Sequence, residues 1–234
     1  MTVNFTTWKG ITDGQTYGIP DSGNLQNDYN ATSFDLNDGD SITSDWVDSE
    51  GDDDATVQGS PIYREDEIGG EPAVELDGVD EYFDTGIKAD TDGEQSLYIV
   101  LKQESSTSDT ERPWGATSNY TSMDQDNGRF ISRFGGDTHP GGPTPTTDEF
   151  VILSFFGNDG DTTTYEDDGE VLSGAGSGSG EQDYSSFIGA LNSGGDDTSH
   201  FTGKIARVLR YDVEHDSEMR GDVWDNLNDI YGVF

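Results

Sequence analysis

The chain has 234 residues, of which 49 are acidic and 11 are basic, with a formal net charge of -38 and no cysteine. The absence of cysteine excludes disulfides, zinc–thiolate sites and thiol nucleophiles. So acidic a surface repels phosphate backbones and anionic lipid, and no run approaches the roughly 20 apolar residues that span a bilayer. We therefore expect neither nucleic acid nor membrane as a partner.

The acidity itself predicts a protein adapted to high salt. Self-repulsion destabilises a compact acidic domain in dilute buffer, and in 1 M salt the Debye length of about 3 Å screens that repulsion. Disorder is the alternative for an acidic chain. Aromatic residues make up 11% of the chain and glycine-punctuated strand patterns recur, which favours a folded halophilic domain.

The first 30 residues are predicted to form an N-terminal arm. Large apolar residues are scattered among Thr, Gly and Asn without a period, and Phe5, Trp8 and Tyr17 are the candidates for docking or oligomerisation. The arm docks either on its own domain or on a neighbouring subunit. We therefore divide the chain into an arm, residues 1–30, and one β-sandwich domain, residues 31–234.

Short apolar runs separated by Gly, Asp and Ser turns predict an antiparallel sandwich. The strands are expected near residues 31–36, 41–47, 71–76, 80–87, 95–103, 129–134, 149–157, 162–166, 184–190 and 201–211. Asp77-Gly78 supplies turn chemistry between two of them, which predicts a hairpin within one sheet. The run from Ile205 to Tyr211 predicts a central strand.

One segment near the C-terminus has helical spacing. Its apolar positions are Met219, Val223, Leu227, Ile230 and Tyr231. Asp216 or Ser217 can cap its N-terminus, and one apolar face over about 15 residues predicts an amphipathic helix.

Three segments in this order resemble the concanavalin A-like lectin/glucanase superfamily in its laminin G-like branch. They are residues 41–51 (Ser-Ile-Thr-Ser-Asp-Trp-Val-Asp-Ser-Glu-Gly), the turn within residues 71–86, and residues 201–212 followed by the helix. The resemblance covers roughly residues 30–234 and is weakest at residues 105–149. It implies an all-β, concanavalin A-like jelly-roll sandwich of two antiparallel sheets, with one C-terminal α-helix and an N-terminal arm.

The glycosidases of that superfamily carry alternating carboxylates on one strand. The most similar segment of this sequence is Glu65-Asp66-Glu67 followed by Glu71, where Gly69 occupies the position of the third carboxylate. A retaining glycosidase needs two carboxyls about 5 Å apart, one of them in an apolar pocket. The sequence around these carboxylates shows no aromatic residues that would form such a pocket. We therefore expect that the protein is not an enzyme, with a glycoside hydrolase as the less favoured alternative.

Calcium is considered because aspartates cluster in one loop. Asp48, Asp52 and Asp54 carry the hard oxygen ligands that calcium takes. Clustered aspartates are also typical of a halophilic surface, and this second interpretation is favoured. We expect no cofactor other than a weakly indicated calcium ion.

Candidate glycan contacts lie in the weakly matched middle of the chain. Aromatic faces stack on sugar rings and arginines bind hydroxyls or acidic groups. The candidates are Arg112, Trp114, Tyr120, Arg129, Arg133 and His139. The alternative is that this region is core, with arginines that neutralise nearby acids.

The expected setting combines lectin-like character with the absence of an export signal in the first residues. A particle that is assembled in the cell and released by lysis reconciles the two. We therefore expect a virion surface protein of a halophilic virus, similar to laminin G-like proteins of haloarchaeal tailed viruses, as capsid turret, decoration or tail fibre. Its expected partners are other virion proteins, further copies of itself and host surface-layer glycans. The alternative is an extracellular or cell-surface carbohydrate-binding module of a halophile.

Overall fold

The computed structural model describes residues 18–88, 93–104, 111–116, 122–126, 129–134, 137–140, 146–158, 161–175 and 183–234, with the backbone alone for residues 122–126, 129–134, 137–140, 172 and 175. These residues form two large antiparallel sheets and a C-terminal α-helix. This architecture confirms the predicted all-β sandwich. No helix in the described ranges is long and apolar enough to cross a membrane.

The strands are short, as the spacing of turn residues predicts. In chain order they are β1 (Leu25–Asn30), β2 (Thr56–Gln58), β3 (Ile62–Ile68), β4 (Glu71–Asp77), β5 (Tyr82–Lys88), β6 (Gln95–Gln103), β7 (Glu111–Gly115), β8 (Ser122–Asp126), β9 (Arg129–Phe134), β10 (Asp137–Pro140), β11 (Phe150–Asn158), β12 (Asp161–Glu166), β13 (Gly169–Ala175), β14 (Ser185–Ile188), β15 (Leu191–Ser193), β16 (Asp196–Thr198) and β17 (Thr202–Tyr211). The helix α1 spans Ser217–Tyr231.

The strands are divided between two large sheets and one small hairpin. The larger sheet has the order β13-β12-β11-β6-β17-β4-β3, and β1 also pairs with β17. The smaller sheet has the order β10-β9-β8-β7-β14-β5-β2, and β15 pairs with β16 as a separate hairpin. β17 lies between β4 and β6, which confirms its predicted central position.

The turn after β4 crosses from one sheet to the other. β4 pairs with β3 and β17, whereas β5 pairs with β2 and β14, so the predicted hairpin within one sheet is wrong. Two hydrogen bonds within the turn stabilise it. The Glu81 side chain accepts one from the Asp77 amide at 2.7 Å, and the Asp77 side chain accepts one from the Val79 amide at 2.8 Å. Gly78 supplies the positive φ of 77° that this connection requires.

The inner faces of the two sheets meet in the main core. Side chains of the larger sheet such as Leu97, Ile99 and Phe155 pack with Phe83 and Trp114 of the smaller sheet. All five are at most 2% exposed. This core fixes which side chains of the smaller sheet point inward, and therefore which point out.

The helix α1 covers the outer face of the larger sheet. Its Val223, Trp224 and Leu227 pack in a second cluster with Tyr98 and Phe156 of that sheet. Both faces of β6 and β11 are therefore buried, which explains why their sequences are almost continuously apolar rather than alternating. Asp216 caps the helix by accepting hydrogen bonds from two backbone amides, as predicted.

The N-terminal boundary differs in detail from the expected one. Residues 25–30, assigned above to the arm, form β1 on the larger sheet. The strand expected at 31–36 is a short 3-10 helix, Ala31–Ser33, and the strand expected at 41–47 forms only isolated bridges at Ser41 and Trp46. Phe5, Trp8 and Tyr17 lie outside the described residues.

Candidate functional site

The outer face of the smaller sheet carries a partly exposed aromatic residue on β5. Along β5, Phe83 and Thr85 are buried, whereas Tyr82 and Asp84 are partly exposed. Strand side chains alternate between faces, so the inward packing of Phe83 sets Tyr82 and Asp84 on the outer face. Phe187 of β14 pairs with Asp84 and belongs to the same face.

Two aromatic rings stack on this face. The ring centroids of Tyr82 and Phe187 are 4.5 Å apart, with an interplanar angle of 30°. The imidazole of His200 lies 6.0 Å from the Tyr82 ring, at an angle of 49°. Phe187 is only 4% exposed, whereas Tyr82 is partly exposed. Of the two stacked rings, Tyr82 is therefore the one that a ligand can contact.

Two carboxylates border the tyrosine. Asp197, whose side chain is 44% exposed, places Oδ2 at 3.4 Å from Nε2 of His200. Burial raises the pKa of Tyr82, and the negative charges of Asp197 and Asp84 raise that pKa further. The phenol therefore stays protonated and able to donate a hydrogen bond. We call Tyr82, Asp84, Asp197 and His200 the Tyr82 surface.

The β15–β16 hairpin holds Asp197 in this position. The side-chain amide of Asn192 donates to the Ser185 carbonyl of β14 at 2.9 Å, and the same side chain accepts from the Gly195 amide at 2.8 Å. The neighbouring Tyr184 is 40% exposed. The resulting arrangement offers an aromatic ring for an apolar ligand face and charged acceptors for ligand hydroxyls.

Trp114 and Arg112, predicted as glycan contacts, are buried. They are 2% and 4% exposed, so neither presents the exposed face on which the prediction depended. The reason is that β7 has the main core on one side and the β15–β16 hairpin close to the other. A Cβ atom on Gly115 would come within 2.7 Å of the Ala190 carbonyl oxygen.

The other predicted contacts lie away from the Tyr82 surface or outside the described residues. Arg129 and Arg133 are in β9, and His139 of β10 pairs with Ser132. β9 is four strands from β5 in the sheet order, or about 19 Å at the usual strand spacing. Tyr120 lies outside the described residues. Because the side chains of Arg129, Arg133 and His139 also lie outside the described part, their role as glycan contacts stays a prediction.

The aspartates considered for calcium organise a loop. The carboxylate of Asp48 accepts hydrogen bonds from the Asn27 side chain at 2.7 Å and from the Asp28 and Glu50 amides at 2.8 and 3.1 Å. Asp54 accepts one from the Asp48 amide at 2.9 Å, and Asp52 is exposed. Within the described ranges, no group of three or more acidic or histidine side chains has the arrangement of a metal site.

Of the four carboxylates that resemble the glycosidase sequence, Glu67 belongs to an ion-pair network. Oε1 of Glu67 lies 2.8 Å from Nζ of Lys204, which is also 3.6 Å from Glu75 and 3.7 Å from Glu104. Arg64 pairs with Glu75 at 2.7 Å, which lowers the pKa of that carboxyl. Glu75 is therefore an ion-pair partner. A general acid needs a raised pKa, and among the candidate carboxylates burial raises the pKa of Glu71, although Arg207 opposes the shift.

Sequence reasoning missed the Tyr82 surface although one signal was present. Alternation along β5 already sets Tyr82 on the face opposite Phe83. What the pattern did not contain is that β5 pairs with β14, or that the hairpin brings Asp197 and His200 to the same place. These are contacts between segments more than 100 residues apart.

Comparison with known proteins gives a fold likeness. No protein-family model and no curated protein matches the chain. Domain 4 of AbnA, a GH43 extracellular arabinanase from Geobacillus stearothermophilus solved with arabinotriose, is similar with a TM-score of 0.59 and 20% identity, over 86% of this chain and 97% of that one. Trypanosoma rangeli sialidase with 2,3-difluorosialic acid is similar with a TM-score of 0.58 and 13% identity, over 94% of this chain and 35% of the sialidase.

These likenesses correct one expectation. The sequence led us to expect no enzyme, but solved structures that share the fold include a domain of an arabinanase and sialidases, which are glycoside hydrolases. That finding overturns the exclusion of enzymatic activity. The chain spans about a third of the length of the sialidases, and at these identities the likeness establishes the fold.

Proposed function

We propose that this domain binds saccharides through the Tyr82 surface. The observation that carries the proposal is the partly exposed Tyr82 ring, stacked at 4.5 Å on Phe187 and bordered by two carboxylates. An aromatic ring fixed in this way offers a flat apolar face to the C–H groups of a sugar, and carboxylates accept hydrogen bonds from its hydroxyls. Few polar groups placed around an apolar platform are typical of small-ligand sites.

The arabinanase domain supports a saccharide ligand. Nearly its whole length is matched, and it was solved with arabinotriose. A short neutral oligosaccharide of that kind is therefore the first probe. The proposal does not depend on the residues of that domain, since 20% identity carries no site correspondence.

The test is calorimetric titration with arabinotriose and a panel of neutral tri- and tetrasaccharides, in molar salt. Tyr82→Ala removes the stacking ring, and we expect at least about a tenfold loss of affinity, which corresponds to about 1.4 kcal/mol. Phe234→Ala is the matched control, because it removes an exposed aromatic ring, 55% exposed, from the C-terminus. Equal affinities of the two variants would overturn the assignment of the site.

A second variant separates loss of binding from loss of packing. Tyr82→Phe keeps the ring that stacks on Phe187 and removes only the hydroxyl, so affinity is expected to fall by a few-fold at most if stacking dominates. Thermal unfolding of each variant shows whether the fold is intact. The same mixtures are analysed for shortened saccharides, and turnover abolished by Glu67→Gln would assign hydrolysis to the larger sheet instead.

The biological setting is proposed from the sequence. The net charge of -38 supports a high-salt environment, and the resemblance to laminin G-like virion proteins supports display on a halophilic virus, with other virion proteins and further copies of the chain as partners. An extracellular carbohydrate-binding module is the alternative, supported by the extracellular arabinanase. Binding to isolated surface-layer glycoprotein that is lost on deglycosylation would favour attachment to a host.

A further inference from the structure

The electrostatics of the Tyr82 surface restrict the class of saccharide it takes. The charges that act on the Tyr82 hydroxyl are those of Asp197 and Asp84, and Asp196 lies exposed beside Asp197 on the same hairpin. The imidazole of His200 is already within 3.4 Å of the Asp197 carboxylate. A ligand that covers Tyr82 therefore lies in the electrostatic field of these carboxylates.

Lys88 and Arg112 are the lysine and the arginine of β5 and β7. Lys88 follows Asp84 on β5 by four residues, which corresponds to about 13 Å along the strand. Arg112 is the second residue of β7. Its exposed fraction is only 4%, so a ligand at the surface does not contact it. A ligand carboxylate over Tyr82 would face Asp84 and Asp197, and the potential cation of this surface, His200, already lies 3.4 Å from Asp197.

We infer that the Tyr82 surface binds uncharged saccharides and rejects those that carry a carboxylate, such as sialic or uronic acids. The inference rests on the proposed function and specifies its ligand. Specificity of this kind arises from a repulsive element as well as from attractive contacts: Asp84 and Asp197 accept hydrogen bonds from neutral hydroxyls and repel an anion at the same position.

The experiment compares matched ligands at the lowest salt in which the protein stays folded, because salt screens the effect. Neutral oligosaccharides, including arabinotriose and lactose, are paired with acidic counterparts that carry one uronic or sialic acid, such as sialyllactose. For any neutral compound that binds, we expect its acidic counterpart to bind at least about tenfold more weakly.

Variants identify the source of the discrimination. Asp84→Asn with Asp197→Asn removes both charges and keeps the side-chain shapes, so the ratio between neutral and acidic ligands is expected to shrink towards one. Asp225→Asn with Asp229→Asn is the control, because it removes two exposed carboxylates from α1, which packs on the other sheet. The control should leave the ratio unchanged.

The outcomes are distinguishable. Acidic ligands that bind as tightly as their neutral counterparts, or more tightly, would overturn the inference and leave saccharide binding intact. A ratio that changes equally in both double variants would assign the discrimination to net charge and overturn the role of these two residues. Failure of every saccharide to bind would remove the proposed function, and the inference with it.

Discussion

Arg207 holds both carboxylate oxygens of Asp28, with Nε at 2.8 Å from Oδ1 and Nη2 at 2.6 Å from Oδ2. The pair joins β17, at the centre of the larger sheet, to β1 near the N-terminus, and the two side chains are only 8% and 7% exposed. Ser49 also donates to Asp28 at 2.9 Å. One buried bidentate pair thus fastens the N-terminal strand and the loop after Trp46 to the central strand.

Removal of one partner should be costly. We expect Arg207→Met to lower the free energy of unfolding by about 3–5 kcal/mol, because it leaves an uncompensated carboxylate in the interior. Arg64→Met is the control, since the Arg64–Glu75 pair is about 30% exposed and such pairs contribute about 1 kcal/mol or less. Denaturant unfolding in high salt measures both, and equal losses would contradict the buried role of Arg207.

His215 should make stability depend on pH. Burial is the main cause that lowers its pKa below the ordinary value of 6.5, although Asp21 opposes the shift. Because the unfolded chain then binds a proton more readily than the folded one, the contribution is present above pH 6.5 and is lost as the pH falls through the folded pKa. The Tyr98 hydroxyl lies 2.8 Å from Nδ1, a contact suited to the neutral imidazole.

The check for this dependence is a comparison with His215→Gln. Groups away from His215 titrate equally in both proteins, so the difference between the two unfolding free energies reports on the histidine and its contact with Asp21. We expect that difference to diminish between about pH 7 and pH 5, the range just above and below the unfolded value. A difference independent of pH would show that His215 titrates with the same pKa in the folded and unfolded states, and would contradict the lowered pKa.

The helix α1 should be a required layer of the fold. Leu227 is fully buried against the outer face of the larger sheet, and its truncation to alanine is expected to cost about 2–5 kcal/mol of unfolding free energy. Asp225→Ala, at an exposed position two residues away, should change it by no more than about 0.5 kcal/mol. A Leu227→Ala protein as stable as the control would mean that the sheet face is covered by something else.

The elements that sequence reasoning predicted are those with a local signal. The spacing of Val223, Leu227 and Tyr231 indicated α1 and its face, and the β-branched run that contains Ile205 and Val208 indicated the central strand. Both depend on side chains close together in the chain. The structure confirms them because local periodicity and burial agree.

The elements that sequence reasoning misplaced depend on distant partners. Asp77-Gly78 indicates a turn but does not specify whether the next strand returns to the same sheet, and here it crosses to the other one. The sequence around Trp114 does not show that this side chain is buried, because its burial comes from contacts with the facing sheet. The Tyr82 surface was missed for the same reason, because Asp197 and His200 reach Tyr82 only through the pairing of β5 with β14.

Stability should rise steeply with salt. The formal charge of -38 opposes the compact state, and the Debye length falls from about 30 Å at 0.01 M to about 3 Å at 1 M salt. We therefore expect the midpoint of thermal unfolding to increase continuously over this range of sodium chloride. Sucrose at matched osmolality is the control, because it favours burial by exclusion without screening charge. A midpoint that is flat in sodium chloride would contradict the high-salt adaptation, and an equal rise in sucrose would assign the effect to exclusion rather than to screening.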